Sequence, residues 1–124
     1  MNAAIDLFVV IPTYNEAAGL RQTFLEWRAV FAEAGCAARS LFIEDGSTDS
    51  SPDVLDGLSR DYPGEIDVVS QPNRGHGAAC RRGYDRALDS AAPWVLQIDS
   101  DGQCDPRLFG GFWAVRHGGD CGVG

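Results

Sequence analysis

The chain has 124 residues, with 10 basic and 18 acidic side chains and a formal net charge of −8. That length supports one domain or part of one, and 44% hydrophobic residues with 23% charged ones describe a packed core rather than wholesale disorder. All the basic residues are arginine, which excludes a P-loop lysine, a Schiff-base lysine and a lysine general base, and the acidic balance opposes electrostatic binding of nucleic acid.

Cys36, Cys80, Cys104 and Cys121 form no CxxC pair and only His76 and His117 accompany them, so a structural zinc site has no support. The first residues lack the basic start and long apolar core of a secretory signal, and reduced thiols in a cytosolic setting are expected. No apolar run approaches the roughly 20 residues of a transmembrane helix.

In chain order, Leu7 to Ile11 is a continuous β-prone run that Pro12 is expected to stop, and it reads as a buried strand. Leu20, Phe24, Trp27 and Phe31 then recur at helical spacing, with Gly35 as the expected residue just past the helix end. Leu41 to Ile43 is a second strand. Ser51 and Pro52 read as an N-cap and a first helical position, followed by Val54, Leu55 and Leu58 on an apolar face. Ile66 to Val69 is a third strand. Ala79, Cys80, Tyr84, Ala87 and Leu88 lie on a helix that ends before Pro93, and Trp94 to Ile98 is a fourth strand. Pro106 opens a helix carrying Leu108, Phe109, Phe112 and Trp113, and a fifth strand is expected to begin in the glycine-rich tail.

Strand followed by helix, four times over, predicts an α/β fold: an open, mainly parallel sheet with helices on both faces. Ligands of such folds bind beyond the carboxyl ends of the strands. Each predicted strand leads into a polar segment there: Pro12 to Glu16, Glu44 to Asp49, Gln71 to Gly77, and Asp99 to Gln103.

These segments carry candidate chemistry. Asp99 and Asp101 flank one serine, and two carboxylates so spaced can approach one hard cation, with Gln103 adding an amide oxygen. The alternative is an Asx-rich turn. Asp45 can accept from the edge of a nucleotide base or serve as a turn residue or helix cap. Tyr14 can lie against a base or ribose, or pack. Glu16 can accept from a ribose hydroxyl or favour the first turn of a helix. The glycines around His76 permit close backbone approach at a helix start that carries Arg81 and Arg82. His76 itself is a diphosphate or acceptor contact, or a solvent-facing helix-start residue. Neither GxxxxGK[ST] nor GxGxxG after the first strand is present.

Taken together, Val9 to Glu16, Glu44 to Asp49, Asn73 to Ala79 and Ile98 to Gln103 resemble the family 2 glycosyltransferases of the GT-A fold, in order and in spacing. The stretch from Asp99 to Pro106 is most similar to the dolichol- and polyprenol-phosphate sugar transferase branch. The resemblance implies that residues 1–124 are the nucleotide-sugar-binding part of a GT-A domain. It implies that Pro12, Tyr14, Glu16, Ile43, Asp45, Arg74, Asp99 and Asp101 contact a UDP- or GDP-linked sugar. Asp99, Asp101 and Gln103 would hold Mg²⁺ or Mn²⁺. The implied reaction is metal-dependent, inverting transfer of the sugar to an acceptor such as a polyprenyl phosphate.

In that family the domain continues well past this point, and the segment from Gly118 to Gly124 resembles the start of the next strand. The expectation is a donor-binding half of a longer enzyme, without the acceptor loops or an identifiable general base. Membrane association, at the cytoplasmic face, would come only through the missing regions. Two other classes compete. One is a nucleotide-binding or interaction module that transfers nothing. The other is a sugar nucleotidyltransferase, whose glycine-rich, lysine-containing signature near the first strand is absent.

Overall fold

The computed structural model describes residues 4–100 and 105–115. Four strands, β1 (Leu7–Thr13), β2 (Ala38–Asp45), β3 (Ile66–Gln71) and β4 (Trp94–Gln97), alternate with helices α1 (Leu20–Glu33), α2 (Ser51–Asp61) and α3 (His76–Asp89). A 3-10 turn at Pro106–Leu108 leads into α4 (Phe109–Val115). All strand pairings are parallel and the order is β3-β2-β1-β4. The expected α/β sheet with helices on both faces is therefore present.

Alternation along β1 builds two cores. Leu7, Val9 and Ile11 face α1, α2 and α4, where Leu20, Phe24, Trp27, Phe31, Leu55 and Leu58 are buried. Phe8 and Val10 face the other way, joining Leu41, Ile43, Val69, Ala79 and Ala87 under α3. Aromatic contacts extend the first core to α4: Phe109 meets Phe31 edge-on at 4.9 Å and stacks on Trp113 at 5.6 Å. Gly35 ends α1 as expected. Its φ is +67°, its N–H donates to the Ala32 carbonyl, and the Cys36 N–H donates to Phe31, the paired bonds of a Schellman motif.

Four elements differ from their sequence reading. Pro12 does not stop β1. Val10 accepts from Ile98 on the β4 side, so by alternation the missing N–H of Pro12 points to that same side, past the last β4 pairing, where no ladder bond is lost. Ser51 lies inside α2, whose N-cap is Ser50. On α3, Leu88 is 80% exposed. The face that meets the sheet is instead Ala79, Gly83 and Ala87, one small residue every four, because the helix approaches too closely for anything larger. Leu108 is likewise exposed on the 3-10 turn.

The register brings every strand out on one edge: Thr13 lies beside Glu44, Asp45 beside Gln71, and Val10 beside Gln97. At that edge the loops after β1 and β2 are clasped. Asn15, at φ +52°, donates its N–H to Ser47 Oγ at 2.9 Å. Its side-chain oxygen accepts from the Thr48 N–H at 2.8 Å and the Asp49 N–H at 3.3 Å. The Glu16 N–H donates to Ser51 Oγ at 3.0 Å, and the Ala17 N–H to Asp49 Oδ2 at 3.2 Å.

Two substitutions test this packing. A Cβ at residue 83 would collide with Cγ1 of Val10, so Gly83→Ala should lower stability by about 1–3 kcal/mol. Val10→Ala in the same chain should then add less destabilisation than it does alone, read from urea unfolding of the double-mutant cycle. Asn15→Ala would strip acceptors from two loop N–H groups and should cost about 1–3 kcal/mol in the same assay.

Candidate functional site

The chain runs outward from β1 to β3, then returns across the sheet to β4 on the other side of β1. The loops after β1 and β4 therefore diverge, and a crevice opens between them. A cleft of about 360 Å³ occupies this place, lined by residues from all four strand ends, among them Pro12, Tyr14, Glu16, Asp45, His76 and Asp99.

Pro12 and Thr13 form buried parts of its wall, while the Tyr14 ring stands 45% exposed at the rim. Asp99 is half-buried just beyond β4. Next to it Ser100, 4% exposed, donates its hydroxyl to the Pro12 carbonyl at 3.2 Å, tethering the start of the acidic loop to β1.

Asp45 closes the inner end of the cleft and is only 3% exposed. Its Oδ1 accepts from Gln71 Nε2 and from the Arg74 N–H, both at 2.8 Å. Its Oδ2 accepts from the Gly75 N–H at 2.9 Å and Asn73 Nδ2 at 3.2 Å. Burial opposes ionisation here. The Gln71 amide, the two backbone N–H groups and the Arg74 charge outweigh it and hold the carboxyl below its ordinary range. The neighbouring turn requires glycine at 46, where φ is +68° and the Asn73 backbone passes against the Cα.

The structure brings Pro12, Tyr14, Glu16, Asp45 and Asp99 of the expected residues into one cleft. Ile43 does not reach it. Its side chain is fully buried on the α3 face, because a residue two before Asp45 on a strand points the same way but lies deeper in the sheet. Arg74 is exposed and contributes its backbone N–H to Asp45 rather than a lining side chain. Asp101 and Gln103 lie outside the described residues. Among the described residues no three His, Cys, Asp or Glu side chains converge as a metal cluster.

Two features escaped the sequence reading. Asn73 and Gly75 line the cleft while holding Asp45, and nothing in their spacing announces a partner in β2. His76 and Cys80 sit one helical turn apart, with Nε2 and Sγ at 3.4 Å. Burial, and then the charge of Asp99, push the Cys80 thiol up, away from the thiolate a nucleophile needs.

Comparison with known proteins gives the family and the fold. The model of the Glycosyl transferase family 2 matches residues 8–115. An undecaprenyl-phosphate 4-deoxy-4-formamido-L-arabinose transferase of Pseudomonas aeruginosa is 35% identical over 105 residues, covering 83% of this chain and 30% of the relative. The succinoglycan biosynthesis protein ExoW of Rhizobium meliloti is 32% identical over 117 residues, 93% of this chain and 36% of that protein. This chain thus spans about a third of the length of these relatives. Among solved structures, the mannosyltransferase PcManGT of Pyrobaculum calidifontis, in complex with GDP-Man and Mn²⁺, superposes with a TM-score of 0.68 at 19% identity, over 92% of this chain and 33% of that one. The TarS 1–349 fragment of S. aureus, in complex with UDP, gives 0.59 at 20% identity, over 78% and 28%. These likenesses give the GT-A fold, and the family match covers the strands, the clasped loops and Asp99 together: the chain belongs to glycosyl transferase family 2.

Proposed function

We propose that the cleft binds the nucleotide diphosphate of an activated sugar together with a divalent cation, as the donor site of an inverting glycosyltransferase. The observation that carries this reading is the charge of the cleft. Glu16, Asp45 and Asp99 line it, and among the described residues no arginine does. A diphosphate entering such a wall is repelled unless a cation intervenes. The donor set is carboxylate oxygen, which suits Mg²⁺ or Mn²⁺. In this proposal Asp99 holds the cation, with Asp101 and Gln103 completing its protein ligands.

When bound, the cation would stabilise the charge that develops on the departing diphosphate. The chain's own residues do the positioning. Tyr14 at the rim offers a ring face to the nucleoside, Glu16 an acceptor to its ribose, and Asp45 a carboxylate to the base edge. Ser100, tied to Pro12, fixes the backbone that carries Asp99. We place the acceptor with the part of the relatives' length that this chain does not span. The name of the P. aeruginosa relative makes a polyprenyl phosphate the favoured class. Such an acceptor is already anionic, which lessens the need for a general base. That acceptor also implies work at the cytoplasmic membrane face, although no described helix is long and apolar enough to cross a membrane.

The test is calorimetric titration of UDP and GDP with and without Mn²⁺, on the chain and on Asp99→Asn. Nucleotide binding should require the metal and weaken at least about tenfold in the variant. Binding that ignores both metal and Asp99, or no binding by a folded chain, would overturn the reading. Metal-dependent binding by a longer protein that transfers no sugar would instead identify a nucleotide-binding module.

A further inference from the structure

Which base the cleft takes follows from how many acceptor sites Asp45 can vacate. A carboxylate offers about four lone-pair directions. All four around Asp45 are filled, by Gln71 and the Arg74 N–H on Oδ1, and by the Gly75 N–H and Asn73 on Oδ2. A base that reads this carboxylate must displace a donor already there.

The four donors are not equally held. Two are backbone N–H groups of the turn that opens α3, and moving them moves the turn. The Gln71 side chain is 7% exposed, and its Oε1 accepts from Arg82 Nη1 at 3.3 Å, which fixes the amide from behind. Asn73 differs. Its Nδ2 makes the longest of the four contacts, 3.2 Å, and also donates to the Asp45 carbonyl at 3.0 Å. It can leave Oδ2 and still keep a partner. Asn73 also lines the cleft, so the vacated direction faces the space a ligand would enter.

One acceptor is therefore exchangeable. The uracil edge carries one imide N–H between two carbonyls, so it needs one acceptor. The guanine edge presents two adjacent donors, N1–H and the 2-amino group, and asks for both carboxylate oxygens. Meeting that demand would break a second, anchored bond around a buried charge and leave its donor unsatisfied. We infer that the Asp45–Asn73 exchange selects a uridine nucleotide over a guanosine one as the donor. This rests on the donor-site reading above and sharpens it to one base class.

The experiment is the competition between the two bases. In Mn²⁺, UDP should bind the chain at least about tenfold more tightly than GDP. Asn73→Ala, which empties the Oδ2 site without stranding a charge, should keep UDP binding within about threefold of the parent and keep the preference. GDP binding equal to or tighter than UDP, still dependent on Asp99, would overturn the base assignment and leave the donor site standing. A loss of more than about tenfold in UDP affinity by a folded Asn73→Ala chain would also overturn it, since Asn73 would then be a direct contact rather than the yielding donor. A folded chain that binds neither nucleotide would remove the donor-site reading and the base assignment with it.

Discussion

The buried carboxylate of Asp45 organises the functional edge of the sheet. A charge that is 3% exposed at the end of a central strand is tolerable only if donors surround it. Those donors come from the segment after β3, so burying Asp45 forces that segment to fold back across the end of β2. The Arg74 and Gly75 N–H groups are drawn to the carboxylate, and α3 starts at the next residue. The position of α3, and with it His76, Ala79 and one wall of the cleft, follows from one ionised group. Gly46 is the backbone counterpart, since a side chain there would push the Asn73 segment off the carboxylate.

A second set of bonds holds the opposite wall. Buried Glu44 faces the other side of β2 and accepts from the Ser47 N–H at 2.8 Å, which shapes the turn that Asn15 then grips. Adjacent acids on β2 thus point to opposite faces, and each fixes a loop. Asp49 acts in the same way, accepting from the Ala17 N–H at 3.2 Å and the Ser51 N–H at 2.9 Å. Farther along the chain, Asp61, Glu65 and Asp67 pair with Arg21, Arg28 and Arg39 at 2.7–2.8 Å. Those partly exposed pairs contribute little each. The buried acids matter more, because their loss would leave loop N–H groups without acceptors.

Strands and helices were legible because apolar runs and helical spacing are local signals. Leu7 to Ile11 and the Leu20-Phe24-Trp27-Phe31 series each state their own geometry. The position of the cleft was legible too, since polar segments after successive strands of a parallel sheet must share an edge. What was illegible depends on distances between elements. Leu88 reads as a core residue on spacing alone, but the approach of α3 to Val10 admits only Ala79, Gly83 and Ala87. Pro12 reads as a stop until β4 is known to end beside it. Asp45 reads as a candidate, yet its partners Gln71 and Asn73 lie 26 and 28 residues away, and only the β2–β3 register brings them to it.

The carboxylates of the cleft therefore do different work despite their common chemistry. The oxygens of Asp45 are engaged by donors from its own chain, so its carboxylate also orders the wall of the cleft. Asp99 stands on the far side of the crevice, carried by a backbone pinned through Ser100, and its charge bears on what enters. A cleft with one carboxylate engaged by donors of its own chain and another just beyond β4 presents two different acceptors to what enters. The inner end can discriminate donors, as a base edge presents. The outer end can be matched only by positive charge. A nucleotide diphosphate with its cation carries those two features in that order, and this correspondence ties the folding role of Asp45 to the binding role proposed for Asp99.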